Sequence, residues 1–256
     1  NIIVSESGGV INIGLQTGLE WNAESDKAWL TITPLTGSGN VTFTLTAEPN
    51  TSVGSRKALI KVSSSGVPSQ FAAIEQQGVP VILNVTAGSL KSLFTDEELL
   101  TIENLILTGT IDARDFRTIS YDMPVIKDVD MGGTTVIAYS GDGGTDNGYL
   151  DYPQNIIPDY AFSRGLSGNP TLRTIILPSQ IAQIGYGAFG NCPAIESVTM
   201  PSTVTYIAKG AFLNCTGLGS IQLSQALIEI GEAAFMGCSS LTSMTIPESV
   251  RAVNRV

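Results

Sequence analysis

Residues 172–194 read LRTIILPSQIAQIGYGAFGNCPA, residues 195–217 read IESVTMPSTVTYIAKGAFLNCTG, and residues 218–240 read LGSIQLSQALIEIGEAAFMGCSS. Aligned, the three units share one pattern with a step of 23 residues. Leu172, Ile195, Leu218 and Leu241 open successive units, Phe189, Phe212 and Phe235 recur in phase, and so do Cys192, Cys215 and Cys238. Such a fixed period marks a stacked-repeat array. The L-x-x-I-x-L stretch predicts one short strand of a parallel ladder. The G-x-x-A-F-x-x-C stretch predicts a turn on the convex side, as a short helix or 3₁₀ turn. No unit can bury its apolar face alone, so neighbours must stack into one core.

The proline after the strand (Pro178, Pro201 and Pro247) and the A-F-x-x-C step resemble the BspA-like leucine-rich repeats of bacterial surface proteins, over about residues 155–256. Asn214 before Cys215 fits the pattern, and Ser224 departs from it at the proline position. The resemblance implies a leucine-rich-repeat solenoid associated with adhesins. The cysteines read as buried free thiols, because equivalent positions point into the core, where a thiol acts as a small hydrophobe. At the C-terminal end, either Arg251 and Arg255 blunt the open edge or that end packs against a second copy.

Residues 1–79 read as short strands between turns. Val41–Ala47 and Ala58–Val62 alternate apolar and polar residues, while Gly8-Gly9, Gly37–Asn40 and Ser63–Gly66 punctuate. This predicts a small antiparallel sandwich. Alternation puts Trp21 inward on a face with Leu19 and Ala23. Trp29 falls opposite Leu30 and Ile32, where it either packs half-buried or offers a platform for a sugar ring. The order Gly8-Gly9, Trp21, Trp29-Leu30, Gly37-x-Gly39-Asn40, Asn50, Arg56-x-Ala58-x-Ile60-x-Val62 and Gln76-Gln77-Gly78 resembles the BACON domain. That resemblance implies an immunoglobulin-like sandwich on a secreted or surface protein of Bacteroidetes, with carbohydrate binding as the role proposed for the family and spacer as the plainer alternative.

Residues 80–160 are less regular and read as the solenoid's divergent N-terminal cap and first repeats, followed by regular repeats over 161–256. Thr95 and Glu98 fit a helix-capping box. Leu105-x-Leu107 and Val129-x-Met131 fit strand positions of the same ladder. The step from Phe162 to Phe189 is 27, which places an insertion around Ser163–Gly168. Asp142, Asp146, Asn147 and Asp151 carry calcium-type oxygens but miss the EF-hand spacing, so a solvated loop is expected there. Asp112, Asp115, Asp122, Asp128 and Asp130 invite a glycosidase reading, yet no catalytic motif surrounds any pair.

The formal charge is −10, with 13 of the 23 acidic side chains in residues 81–160 and no basic stripe. Nucleic acid is therefore a disfavoured partner. The absence of histidine removes Ser-His-Asp and Cys-His nucleophiles and His-ligated zinc. No cofactor or metal is expected. No apolar run approaches the ~20 residues of a transmembrane helix, and a lipid anchor upstream would fit.

The fold expected is mainly β: an N-terminal immunoglobulin-like sandwich, then a leucine-rich-repeat solenoid with short convex helical turns. The function expected is non-catalytic binding or adhesion at the cell surface, outer-membrane-anchored or secreted, toward host or dietary glycans or host or matrix proteins. A structural spacer or assembly component is the alternative, ahead of a polysaccharide-degrading accessory enzyme. Candidate ligand contacts are Trp29 and the outward ladder positions Asp128, Asp130, Thr174, Ile176, Ser197, Thr199, Ser220, Gln222, Ser243 and Thr245.

Overall fold

The computed structural model describes residues 2–146, 148 and 151–254. Chain contacts divide it into two compact units, Asn1–Val79 and Pro80–Val256.

In the first unit, β1 (Ile2–Val4), β3 (Glu20–Ser25), β5 (Thr36–Ser38), β7 (Arg56–Ser64) and β8 (Val67–Gln76) form one sheet in the order β1-β8-β7-β3-β5. β2 (Gly9–Leu15), β4 (Leu30–Thr33) and β6 (Val41–Ala47) form a second, ordered β2-β6-β4. Inward residues of both sheets share one core, including Trp21, Phe43, Leu45, Ile60 and Ile74. Trp21 meets Phe43 edge-on at 5.0 Å, and its indole N–H donates to the Gly39 carbonyl at 3.0 Å. Leu19, expected on the face of Trp21, is instead exposed. It precedes β3, so the strand's alternation does not reach it.

The polar landmarks of this unit form one network. Gln76 is fully buried; its amide donates to the carbonyls of Ser5 and Glu48, and its Oε1 accepts from Arg56 Nε at 2.8 Å. Buried Asn50 donates to the carbonyls of Gly54 and Gln77. Gln76→Ala strands several of these buried groups and should cost about 2–4 kcal/mol. Both tryptophans lie in this unit. The loss should therefore appear as a lower urea midpoint in tryptophan fluorescence, and an unchanged midpoint would refute it.

The second unit opens with β9 (Val81–Val85), β10 (Asn104–Ile111) and β11 (Asp128–Val136). α1 (Asp96–Leu99) starts in a Thr95–Glu98 capping box, and α2 (Ala113–Arg117) in an Asp112–Asp115 box. β12 (Tyr139–Ser140) and β13 (Asp151–Tyr152) form a short antiparallel pair. The remaining strands are β14 (Ile156–Ile157), β15 (Thr174–Ile176), β16 (Gln183–Ile184), β17 (Ser197–Thr199), β18 (Tyr206–Ile207), β19 (Glu229–Ile230) and β20 (Ala252–Val253).

Two five-stranded parallel ladders result, β9-β10-β11-β15-β17 and β14-β16-β18-β19-β20. In the core of this unit, Phe162, Phe189, Phe212 and Phe235 stack with centroids 4.9, 4.9 and 5.1 Å apart. Phe116 of α2 meets Phe162 edge-on at 5.7 Å and heads the column.

Two expectations are corrected and one element is added. The G-x-x-A-F-x-x-C segment forms successive turns, not the short convex helix or 3₁₀ turn. Gly187, Gly210 and Ala233 sit at φ 55°, 62° and 54°, and Asn191, Asn214 and Gly237 at 57°, 57° and 79°. Left-handed residues four positions apart break a right-handed helix. The I-x-x-I-G segment, for which no strand was expected, supplies a second ladder. Finally, residues 218–223 and 241–246 form no paired strand, so the first ladder ends at β17. Gly219 weakens the strand at the first of these rungs.

Candidate functional site

The outward row of the first ladder holds most of the residues singled out from sequence. Asp128 stands beside Thr174 and Ser197 in register, and Asp130 beside Ile176 and Thr199. One oxygen of each carboxylate is occupied, while Asp128 Oδ2 is buried without a hydrogen-bond partner among the described residues. Thr174 Oγ1 donates to Asp128 Oδ1 at 2.6 Å, Arg173 lies 3.7 Å from Asp128 Oδ2, and the Gly132 N–H donates to Asp130 Oδ1 at 2.8 Å. Ser220, Gln222, Ser243 and Thr245 are exposed on coil beyond the ladder. Trp29 belongs to the other unit. It is half-buried, and the Arg56 guanidinium covers its ring at 4.4 Å, occupying the face a sugar would need.

The carboxylates that invited a glycosidase reading serve the fold. Asp115, 1% exposed, accepts N–H bonds from Gly88, Leu90 and Asp112 at 2.6, 3.0 and 2.9 Å. Burial pushes its carboxyl above the ordinary 3.8, with those N–H donors opposing. Asp112 pairs with Arg114 at 2.6 Å and Asp122 with Lys91 at 3.1 Å. The thiols of Cys192, Cys215 and Cys238 donate to the carbonyls of Phe162, Phe189 and Phe212 in the rung before. Burial pushes Cys192 up to about 12, so it stays protonated at neutral pH. In the Asp142–Asp151 loop, Asp146 Oδ1 accepts from the Gly148 N–H, while Asn147 lies outside the described residues.

A trough along the second ladder escaped the sequence reading. Its upper part is a cavity of about 250 Å³ whose lining includes Asp151, Tyr152, Asp159, Gln183, Gly185 and Tyr206. Its lower part, about 470 Å³, is lined by Tyr206, Lys209, Gly231, Glu232 and Asn254. The period builds it. Ile156, Gln183, Tyr206, Glu229 and Ala252 stand in register across five rungs. Beside them Gly185, Ala208 and Gly231 recur at one repeat position, followed by Tyr186, Lys209 and Glu232. A Cβ on Gly185 would stand 2.6 Å from Asp159 Oδ1, so glycine is required there.

Asp159 is held in place at both ends. Its carbonyl accepts from Thr145 Oγ1 and its Oδ1 accepts from the Tyr186 N–H, each at 2.6 Å. Burial and then Asp146 raise its pKa against that N–H bond. Tyr152 stacks on Tyr139 at 6.0 Å and donates from its hydroxyl to the Asp146 carbonyl. The signal that could have exposed this site was present: Gln183, Tyr206 and Glu229, polar residues flanking the buried apolar positions in phase.

Rungs stacked at one per 23 residues, with parallel ladders around a phenylalanine column, define a leucine-rich-repeat protein carrying an additional β unit. Its parts are specific: residues 2–79 match the Viral BACON domain, and residues 149–255 match the BspA type leucine rich repeat region in six copies. The chain thus joins a BACON domain to BspA-type repeats.

Among solved structures, the T. pallidum leucine rich repeat protein TpLRR is 29% identical over 39% of this chain and 44% of that one, with a TM-score of 0.37. A Bacteroides ovatus GH5 xyloglucanase, in complex with a XXXG heptasaccharide, is 24% identical over 31% and 17%, with a TM-score of 0.30. A leucine rich cell surface protein of Faecalibacterium prausnitzii A2-165 is 15% identical over 70% and 60%, with a TM-score of 0.25. The chain spans less than two thirds of the length of each. No curated protein matches it. No helix among the described residues is long and apolar enough to cross a membrane.

Proposed function

We propose that this is a non-catalytic binding protein of the cell surface, outer-membrane-anchored or secreted, whose repeat region takes a carbohydrate in the trough of the second ladder. In this reading Asn1–Val79 is an immunoglobulin-like sandwich acting as spacer, and Pro80–Val256 a leucine-rich solenoid. One observation carries it: Tyr206 lines both parts of a recess that also bears Asp151, Asp159 and Gln183. An aromatic ring offers an apolar face to a sugar, while carboxylates and amides take its hydroxyls. The arginine over Trp29 favours spacer over lectin for the first unit.

A glycan array spanning neutral, acidic and branched host and plant glycans, probed with the full chain, tests this. Tyr206→Ala should weaken binding by at least about tenfold. Ser197→Arg and Thr199→Arg, on the first ladder's outward row, should leave it intact. Binding lost through the arginine variants but kept in Tyr206→Ala would move the site to that row. No glycan binding at all would turn the search to host or matrix proteins.

A further inference from the structure

We infer that the trough binds a linear, uncharged glycan in extended form, lying down the stack with about one sugar unit per rung; this rests on the trough being the ligand site. Parallel strands lie about 4.8 Å apart, so the five rungs from Ile156 to Ala252 span roughly 19 Å. One ring with its linkage in an extended glycan covers about the same distance as one rung. The repeat therefore offers positions at the ligand's own spacing, and Tyr206 stands at the middle rung and lines both cavities.

Chemistry along the walls selects the ligand. Asp151 and Asp159 lie at the upper end, Glu232 at the lower, and the nearby cation Lys209 is paired to Glu232 at 2.8 Å. An anionic chain would be repelled, whereas hydroxyls find carboxylate acceptors. An extended peptide fits less well. The interior strands β16, β18 and β19 are paired on both sides, so strand addition is confined to the ends of the ladder at β14 and β20 and cannot run down the trough.

The test is calorimetric titration of the full chain with cello-, xylo-, manno- and chito-oligosaccharides of one to six units, and with oligogalacturonates. Affinity for at least one neutral series should rise with length and level off near the pentasaccharide, while the oligogalacturonates do not bind. Tyr206→Ala should weaken the hexasaccharide at least about tenfold. Gln183→Ala, at an exposed position that should leave folding untouched, should also weaken it. Binding equally tight for monosaccharide and hexasaccharide would overturn the inference, as would preference for oligogalacturonate. So would failure of all four neutral series. In each case Tyr206-dependent binding on the array would keep the carbohydrate reading itself, and its absence there would remove both.

Discussion

Phe212→Ala is expected to lower the stability of the repeat region by about 3–5 kcal/mol, the range for deleting a buried aromatic. Phe212 is fully buried between Phe189 and Phe235, with centroids 4.9 and 5.1 Å away and planes within 4° and 2° of parallel. Truncation opens a cavity facing both neighbouring rungs. The backbone cannot collapse into it, because the Phe212 N–H is held by the Ala234 carbonyl and its carbonyl accepts the Cys238 thiol. In a stacked array each rung is stabilised by its neighbours, so the damage spreads to the interfaces on either side. Phe235 stacks on a ring on one side among the described residues and is 6% exposed. Phe235→Ala should therefore cost less. Urea unfolding followed by far-ultraviolet circular dichroism reads this loss, while tryptophan fluorescence, confined to the first unit, should not move. A loss under about 1 kcal/mol would mean that the column does not hold the repeats together.

Asp115→Ala should cost a similar amount, about 3–5 kcal/mol. It removes one buried carboxylate that satisfies the N–H groups of Gly88, Leu90 and Asp112, and alanine supplies no acceptor. Those bonds tie the segment after β9 to the start of α2, so the N-terminal end of the repeat core should fray first. The sign of the pH effect follows from burial raising the folded-state pKa above 3.8. Between 3.8 and that raised value the folded protein holds a proton that the unfolded chain has lost. Asp115's contribution is thus full below 3.8 and declines as pH rises through the interval. Asp115→Asn removes this dependence, so the advantage of the original protein over this variant should shrink as pH rises from 3.8. An advantage that instead grew with pH would show that the three N–H donors outweigh desolvation.

Much of the repeat was legible because period is a property of the chain itself. A 23-residue step in Phe, Ala and Cys is satisfied if equivalent side chains stack rung on rung, and the phenylalanine rings at 189, 212 and 235 do so within about 5 Å. The same logic places Asp128 and Asp130 beside Thr174 and Ile176 across the insertion around Ser163–Gly168. Alternation also put Trp21 inside the first unit, where it is.

What periodicity left open was local backbone conformation. The pattern G-x-x-A-F-x-x-C suits a helical turn as well as a series of tight turns. The left-handed residues at positions 187, 191, 210, 214, 233 and 237 decide for turns. Once that segment is not a helix, the two residues before it are free to pair from rung to rung, and a second ladder appears.

Sequence alone determined the repeat, the phenylalanine column, the free thiols (buried at Cys192 and Cys215, partly buried at Cys238) and the separate β unit, because each follows from spacing and from which side chains avoid water. Tertiary structure decided where a ligand has room. Whether Trp29 is open depends on Arg56, 27 positions away in the chain. The trough exists because Asp151, Asp159, Gln183 and Tyr206, scattered over several turns, converge around one recess. Convergence of that kind depends on how turns direct the chain in space, and no one-dimensional period records it.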